Sequence, residues 1–243
     1  MDILDELMSH SSVRSFENKA LPESLKAKLI QAAQAGSSSN FVQAFSIIEI
    51  KDPGKRQKIE KISNGMGHIE TTGALYIFVA DLYRNHELAK ETTEDMRAFT
   101  SMESLIVSIV DTTIAAQNMA VYAESQGLGI CYIGGIRNDL NRLKEMLDLP
   151  QYTFPLFALT VGYPTVKNEV KPRLFAEELI KVDSYGSPNR NVIASYDDKM
   201  NAYYQARSNN MKDGNWTKSV EAHYHVLRRP EVTDFLKRQG FEF

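Results

Sequence analysis

One cysteine, one tryptophan and no excess of either charge mark this 243-residue chain. A lone Cys131 excludes an intramolecular disulfide and a zinc site built on several thiolates, and it suits a reducing compartment. With 28 basic against 31 acidic side chains, the net charge of -3 gives no bulk attraction to nucleic acid or an anionic membrane. Any anion site must therefore be assembled locally. The first ten residues carry Asp2, Asp5 and Glu6 rather than a basic segment and an apolar run, so no secretory signal is expected. The longest apolar stretch, residues 104–123, is interrupted by Asp111, Gln117 and Asn118 and makes a poor bilayer span. A cytoplasmic protein without membrane or nucleic-acid partners is expected.

Several chemistries fail on spacing. Gly127, Gly129 and Gly134 do not form a dinucleotide-binding GxGxxG, and they follow a helix where that motif follows a strand. There is no Walker loop and no G-x-S-x-G elbow. His223 and His225 stand two apart, on different faces of a helix, so no metal site is expected. Cys131, between Ile130 and Tyr132, reads as core rather than nucleophile.

What is present is a series of strands and helices. Pro22 opens a helix carried by Leu25, Leu29, Ile30 and Ala33 and ended by Gly36. Residues 45–51 read as a strand, 53–62 as a helix and 74–80 as an almost wholly apolar, central strand. Residues 81–100 read as a charged, irregular connection. Residues 101–126 are small or apolar nearly all round, as in a helix buried on every side, inside a domain or at a dimer interface. A strand at GICYIGG, a helix over 138–148 and a strand over 155–162 follow; 191–240 is polar and helical in places. This order gives no regular βαβ units, so an α+β fold is expected: a mixed, mostly antiparallel sheet flanked by helices. Residues 1–243 read as one domain, with 163–243 a C-terminal extension.

Four segments offer groups for an anionic, flat ligand. In HSSVRSF, Arg14 suits bidentate phosphate contact, and Ser11, Ser12 and His10 supply hydrogen bonds; the alternative is a polar loop with a capping serine. Ser37, Ser38 and Ser39 gather hydroxyls and loop amides, or make a plain turn. In YIGG (Tyr132, Ile133, Gly134, Gly135), glycines at a strand end let a ligand approach the backbone, although a bulge explains them equally well. Lys171 and Arg173 flank Pro172 and by themselves read as surface charge.

Taken in order, HSSVRSF, SSSN before FVQAFSIIEI, GLGICYIGGIRND, KPRL after VGYP, and YYQARSNN resemble the nitroreductase and flavin reductase family, in its larger NADPH-preferring branch. The resemblance covers most of the chain. It implies a homodimer with non-covalent FMN at the subunit interface and the C-terminal extension wrapping the partner. It implies that His10, Ser11, Ser12, Arg14, Ser37, Ser38, Ser39, Tyr132, Ile133, Gly134, Gly135, Lys171 and Arg173 contact FMN, and that Arg207 binds the 2′-phosphate of NADPH. The implied activity is ping-pong hydride transfer from NADPH, with NADH possible, to nitro compounds, quinones or free flavin as small-molecule acceptors. No residue is required as a general base, so none is designated catalytic. An FMN-binding redox sensor or storage flavoprotein is the alternative.

Two positions depart from the family pattern. Met66 stands where family members often carry a glutamine near the flavin, and a thioether cannot donate an amide hydrogen bond. The loop after Arg207 is one residue shorter, leaving Lys212 as a point charge in place of a second matched cation.

Overall fold

The computed structural model describes residues 2–65, 67–207 and 214–243. Met66 and Lys212 therefore lie outside the described residues. Helices and strands follow in the order α1 (Ile3–Met8), α2 (Glu23–Gln34), β1 (Phe45–Glu49), α3 (Pro53–Ser63), α4 (His68–Thr71), β2 (Ala74–Asp81), α5 (Tyr83–Ala89), α6 (Arg97–Thr100), α7 (Met102–Ser125), β3 (Gly129–Ile133), α8 (Leu140–Leu147), β4 (Thr153–Gly162), α9 (Ala176–Leu179), α10 (Arg190–Ala206), α11 (Trp216–Tyr224) and α12 (Val232–Arg238). Two compact units make up the chain. The first comprises Met1–Asn168 with Arg229–Phe243, the second Glu169–Arg228.

The first unit is an antiparallel sheet in the order β1-β2-β4-β3. Its two faces follow directly from the period of two along each strand. Tyr76 and Phe78 of β2, Ile130 of β3, and Leu159 and Val161 of β4 pack with Leu29 and Ala33 of α2 and with Ala115, Ala116, Met119, Ala120 and Ala123 of α7. Leu75, Ile77, Val79, Cys131, Ile133 and Ala158 pack on the other face with Ile59 of α3, Ile69 of α4 and Leu143 of α8. Covered on both faces, β2 is apolar from Ala74 to Ala80, and each of its larger apolar side chains contributes roughly 1.5–3 kcal/mol. The fold class is as the sequence predicts.

α7 is long and apolar enough to cross a membrane by length and composition, but its alanine face packs on the sheet as a core helix. It is not buried all round. Met102, Ile106 and Val110, at four-residue spacing, are 43%, 47% and 46% exposed.

Residues 81–100 are more ordered than their charge suggests. The His86 ring of α5 stacks on Tyr152 at 4.4 Å and meets Phe99 edge-on at 5.6 Å, an aromatic cluster hidden among charged residues. The chain's end also returns to this unit, where Phe235, Leu236 and Phe241 bury beside Phe154 and Leu156. Fully buried Gln239 fastens it, its Nε2 donating to the carbonyls of Pro150 and Thr153, each at 2.8 Å.

The second unit is organised by one face of α10. Tyr196, Met200 and Tyr204 recur every four residues and bury against Leu174, Phe175 and Trp216.

Candidate functional site

β3 is an edge strand, and HSSVRSF runs along its open side. Val13 N–H donates to Ile130 O at 2.8 Å, and Glu17 N–H to Tyr163 O at 2.9 Å. Val13 needs Gly129 opposite it, because a Cβ there would come within 2.6 Å of the valine side chain. In an antiparallel strand the N–H and C=O of one residue point to the same side. Ile130 O points outward to Val13, so Tyr132 N–H and C=O point outward too, beyond the reach of β4. Past Val13 the Tyr132 N–H has no partner among the described residues, while its C=O accepts a weak contact from Cys131 Sγ at 3.6 Å.

The segment divides its side chains between two sides. Ser11 and Val13 line a cavity of about 370 Å³ with Glu124 and Lys167, and Ser11 Oγ donates to Asn168 O at 2.9 Å. Ser12 and Arg14 do not line that cavity. Arg14 is exposed and has no hydrogen bond or ion pair among the described residues, yet its charge is felt by two buried groups. It lowers the pKa of His68 and opposes the burial that pushes the Cys131 thiol up. Among the described residues Arg14 is thus an uncommitted guanidinium, one position past the Val13 N–H that pairs with β3.

The other sequence-predicted residues are partly committed to the protein itself. His10 Nδ1–H donates to Glu124 Oε1 at 2.6 Å, leaving Nε2 as the ring's remaining polar atom. Tyr132 stands edge-on to Phe157 at 5.1 Å, its hydroxyl donating to Gln117 Oε1 at 3.2 Å; burial raises its pKa. Ile133 is core. Gly135 is set by packing, since a Cβ there would lie 2.4 Å from Ser63 O. At Gly134 such a Cβ would lie 3.2 Å from the Arg137 guanidinium, which itself donates to Leu156 O, so packing bears on this glycine too.

The serine loop is built on buried Asp111 of α7. Ser38 Oγ donates to Oδ2 at 2.6 Å, Ser39 N–H to Oδ1 at 3.0 Å and Ala44 N–H to Oδ2 at 3.1 Å. Ser38 Oγ also accepts from Gln43 N–H at 2.7 Å. Ser38 therefore holds the loop, while the Ser37 and Ser39 hydroxyls have no partner among the described residues. In the sequence Asp111 was readable only as a polar interruption.

The sequence pointed to the connection between α3 and α4 through Met66, but not to the roles of Glu60 and His68 there. Buried Glu60 accepts from Gly67 N–H at 2.9 Å through Oε1 and from Ile69 N–H at 2.8 Å through Oε2. Gly65 is obligatory there, because a Cβ would fall 1.7 Å from Glu60 Oε1, and Gly67 has φ of +85°. Between the two pinned amides stands His68, 6% exposed, with neither ring nitrogen hydrogen-bonded. Burial is the main cause of its lowered pKa; Glu60 opposes the shift and Arg14 adds to it. The sequence signal was the NGMGH spacing, where a histidine follows two glycines.

In the second unit Lys171 and Arg173 are exposed, and the segment between them is fastened to α10 by Tyr196 Oη–H, which donates to Pro172 O at 2.8 Å. Lys171 Nζ lies 5.3 Å from the Tyr204 ring centroid, and Arg207, at the end of α10, lies 5.8 Å from that of Tyr203.

Among the described residues, a guanidinium without an ion pair, a strand-edge N–H without a partner and a buried imidazole without a hydrogen bond fit a flat ligand bearing anionic and hydrogen-bonding groups. The comparisons agree with that chemistry. The nitroreductase family profile matches residues 7–163, and that of the family's C-terminal domain matches 171–243. The chain is 39% identical over 238 residues to a CR(VI) reductase of Pseudomonas sp. (strain G-1), covering 98% of each. It is 36% identical over 242 residues to an FMN reductase (NADPH) of Bacillus subtilis (strain 168), covering 98% of this chain and 97% of the relative. An NfrA1 nitroreductase structure from B. subtilis superposes with a TM-score of 0.94 at 35% identity, over 99% of each chain. The chain is an oxidoreductase and belongs to the nitroreductase family.

Proposed function

We propose that this protein is a cytoplasmic homodimer that takes electrons from NADPH through FMN and delivers them to nitro compounds, quinones or free flavin. The observation that carries this reading is Arg14, an exposed cation with no hydrogen bond or ion pair among the described residues, in the segment that pairs with β3 through Val13. FMN, when bound, would supply the chemistry for two-electron transfer between a nicotinamide and the acceptor. The protein's task is to bind and orient. Arg14 and Ser12 hold the phosphate, with Ser37 and Ser39 hydroxyls as further donors. The Tyr132 edge and the Gly134 amide hydrogen-bond the flat ring, and Lys171 and Arg173 offset charge gained on reduction. His10, Ser11, Ser38, Ile133 and Gly135 shape the site through the protein contacts already described. Arg207 binds the 2′-phosphate, the one group that distinguishes NADPH from NADH. No side chain is assigned a proton-transfer role.

Two further points support the reading. The lone buried Cys131 suits a reducing cytoplasm. The exposed stripe of Met102, Ile106 and Val110 gives α7 an outer apolar face suited to a second copy, and the C-terminal extension is proposed to wrap that partner. Ile106→Glu should dissociate the dimer and release FMN, as read by sedimentation and flavin fluorescence; a stable monomer with full FMN affinity would remove the interface-site reading.

The activity is tested on the purified protein under anaerobic conditions. A yellow protein bleached by NADPH and recoloured by a quinone or a nitro compound is the predicted result. A yellow protein that NADPH fails to bleach would make it a flavin-binding sensor or store instead.

A further inference from the structure

Glu124 is a carboxylate in an unfavourable place. It lies in the last turn of α7, where the helix dipole already concentrates negative charge, and its side chain is only 13% exposed. It also approaches HSSVRSF, the segment read above as holding an anionic ligand. Among the described residues one side-chain contact offsets these costs. Oε1 accepts from His10 Nδ1–H at 2.6 Å, across 114 positions of sequence. An ionised carboxylate can only accept, so Nδ1 carries a proton whether the ring is neutral or charged.

The segment alternates as an extended chain does. Ser9, Ser11 and Val13 line the cavity that Glu124 also borders, while His10, Ser12 and Arg14 do not. His10 thus meets Glu124 through Nδ1, and Nε2, without a partner among the described residues, is left outside that cavity. We propose that Glu124 is a positioning residue for the cofactor site, holding the His10 ring by Nδ1–H so that Nε2 faces bound FMN. This rests on the reading that HSSVRSF holds FMN. Two rival roles predict different results. A tether fastening the segment to α7 needs only the Nδ1–H and leaves Nε2 idle. A bare negative charge near an anionic ligand weakens binding, so its removal would tighten it.

The test titrates FMN by flavin fluorescence quenching, with melting of the flavin-free proteins alongside, for wild type, Glu124→Leu, Glu124→Gln, His10→Asn and the Glu124→Leu/His10→Asn double variant. Glu124→Leu should weaken FMN binding about three- to tenfold, the scale of one hydrogen bond. Glu124→Gln, whose carbonyl still accepts from Nδ1–H, should recover most of that loss. Asparagine keeps an N–H donor near the place of Nδ1 and has nothing at Nε2. His10→Asn should therefore weaken binding to a similar extent while melting as wild type does, and the double variant should bind no worse than either single one. Imidazole nitrogen NMR on wild type needs no substitution: Nδ1 should carry the proton, and the Nε2 resonance should move on adding FMN. Wild-type affinity in His10→Asn, unchanged or tighter binding by Glu124→Leu, additive losses, or an unmoved Nε2 resonance while wild type binds FMN overturns the positioning role alone. No FMN binding by wild type overturns both readings.

Discussion

The serine loop and the 64–69 loop use the same device to different ends. In each, a buried carboxylate from a helix pins loop amides: Asp111 of α7 holds Ser39 and Ala44, and Glu60 of α3 holds Gly67 and Ile69. In the first, the uncommitted hydroxyls of Ser37 and Ser39 sit on exposed residues, where water satisfies them. In the second, the uncommitted group is a buried imidazole. A free hydroxyl at a surface carries little information by itself, because solvent is its default partner. A free polar group inside the protein needs a partner that the described residues do not supply, a bound water or a ligand.

Three substitutions sharpen that contrast. The largest effect belongs to the carboxylates. Asp111→Asn and Glu60→Gln each turn an NH2 group toward an N–H donor, and each should lower stability by about 1–3 kcal/mol. Urea unfolding of the flavin-free proteins checks this; losses below about 0.5 kcal/mol would mean that neither loop depends on its carboxylate.

Arg207→Ala acts at a smaller scale, in the second unit. Its guanidinium lies by the Tyr203 ring at the end of α10. The KM for NADPH should rise several-fold while that for NADH and the kcat hardly change, and high salt should imitate the substitution. Equal changes for both nucleotides would show that Arg207 does not read the 2′-phosphate.

The smallest effect is the pH dependence of His68. Its folded pKa lies below the ordinary 6.5 because of burial, with Glu60 opposing and Arg14 reinforcing the shift. Below pH 6.5 the unfolded chain binds a proton that the folded chain resists. The stability tied to neutral His68 is therefore present above 6.5 and declines as pH falls toward the folded value, by at most about 1.4 kcal/mol per pH unit. Melting curves of the flavin-free protein between pH 7 and 5 should fall more steeply for wild type than for His68→Phe. Parallel curves would contradict the assigned shift.

Much of this was legible in the sequence, for identifiable reasons. The strands were visible because a sheet covered on both faces needs long apolar runs, as in residues 74–80. α7 was visible for the same reason, although its composition did not separate the alanine face on the sheet from the exposed Met102, Ile106 and Val110. Ala116, fully buried against the sheet, is consequently no probe of a subunit interface. The roles of Asp111 and Glu60 were not legible. Their hydrogen bonds join residues up to 73 positions apart, and local composition does not encode such pairing. His68 was hidden likewise, since only burial distinguishes it from any loop histidine. Nor did composition show that Phe235, Leu236 and Phe241 return the chain's end to the first unit.

The central claim is that the outer edge of β3 and the segment carrying Arg14 hold the FMN phosphate and ring. FMN titration of Arg14→Ala tests it most directly. Removing one charge-assisted pair, worth about 1.5–3 kcal/mol, should weaken FMN binding roughly tenfold or more, leaving the flavin-free fold unchanged because Arg14 has no partner among the described residues to lose. Full flavin occupancy of Arg14→Ala at dilute protein would contradict the account.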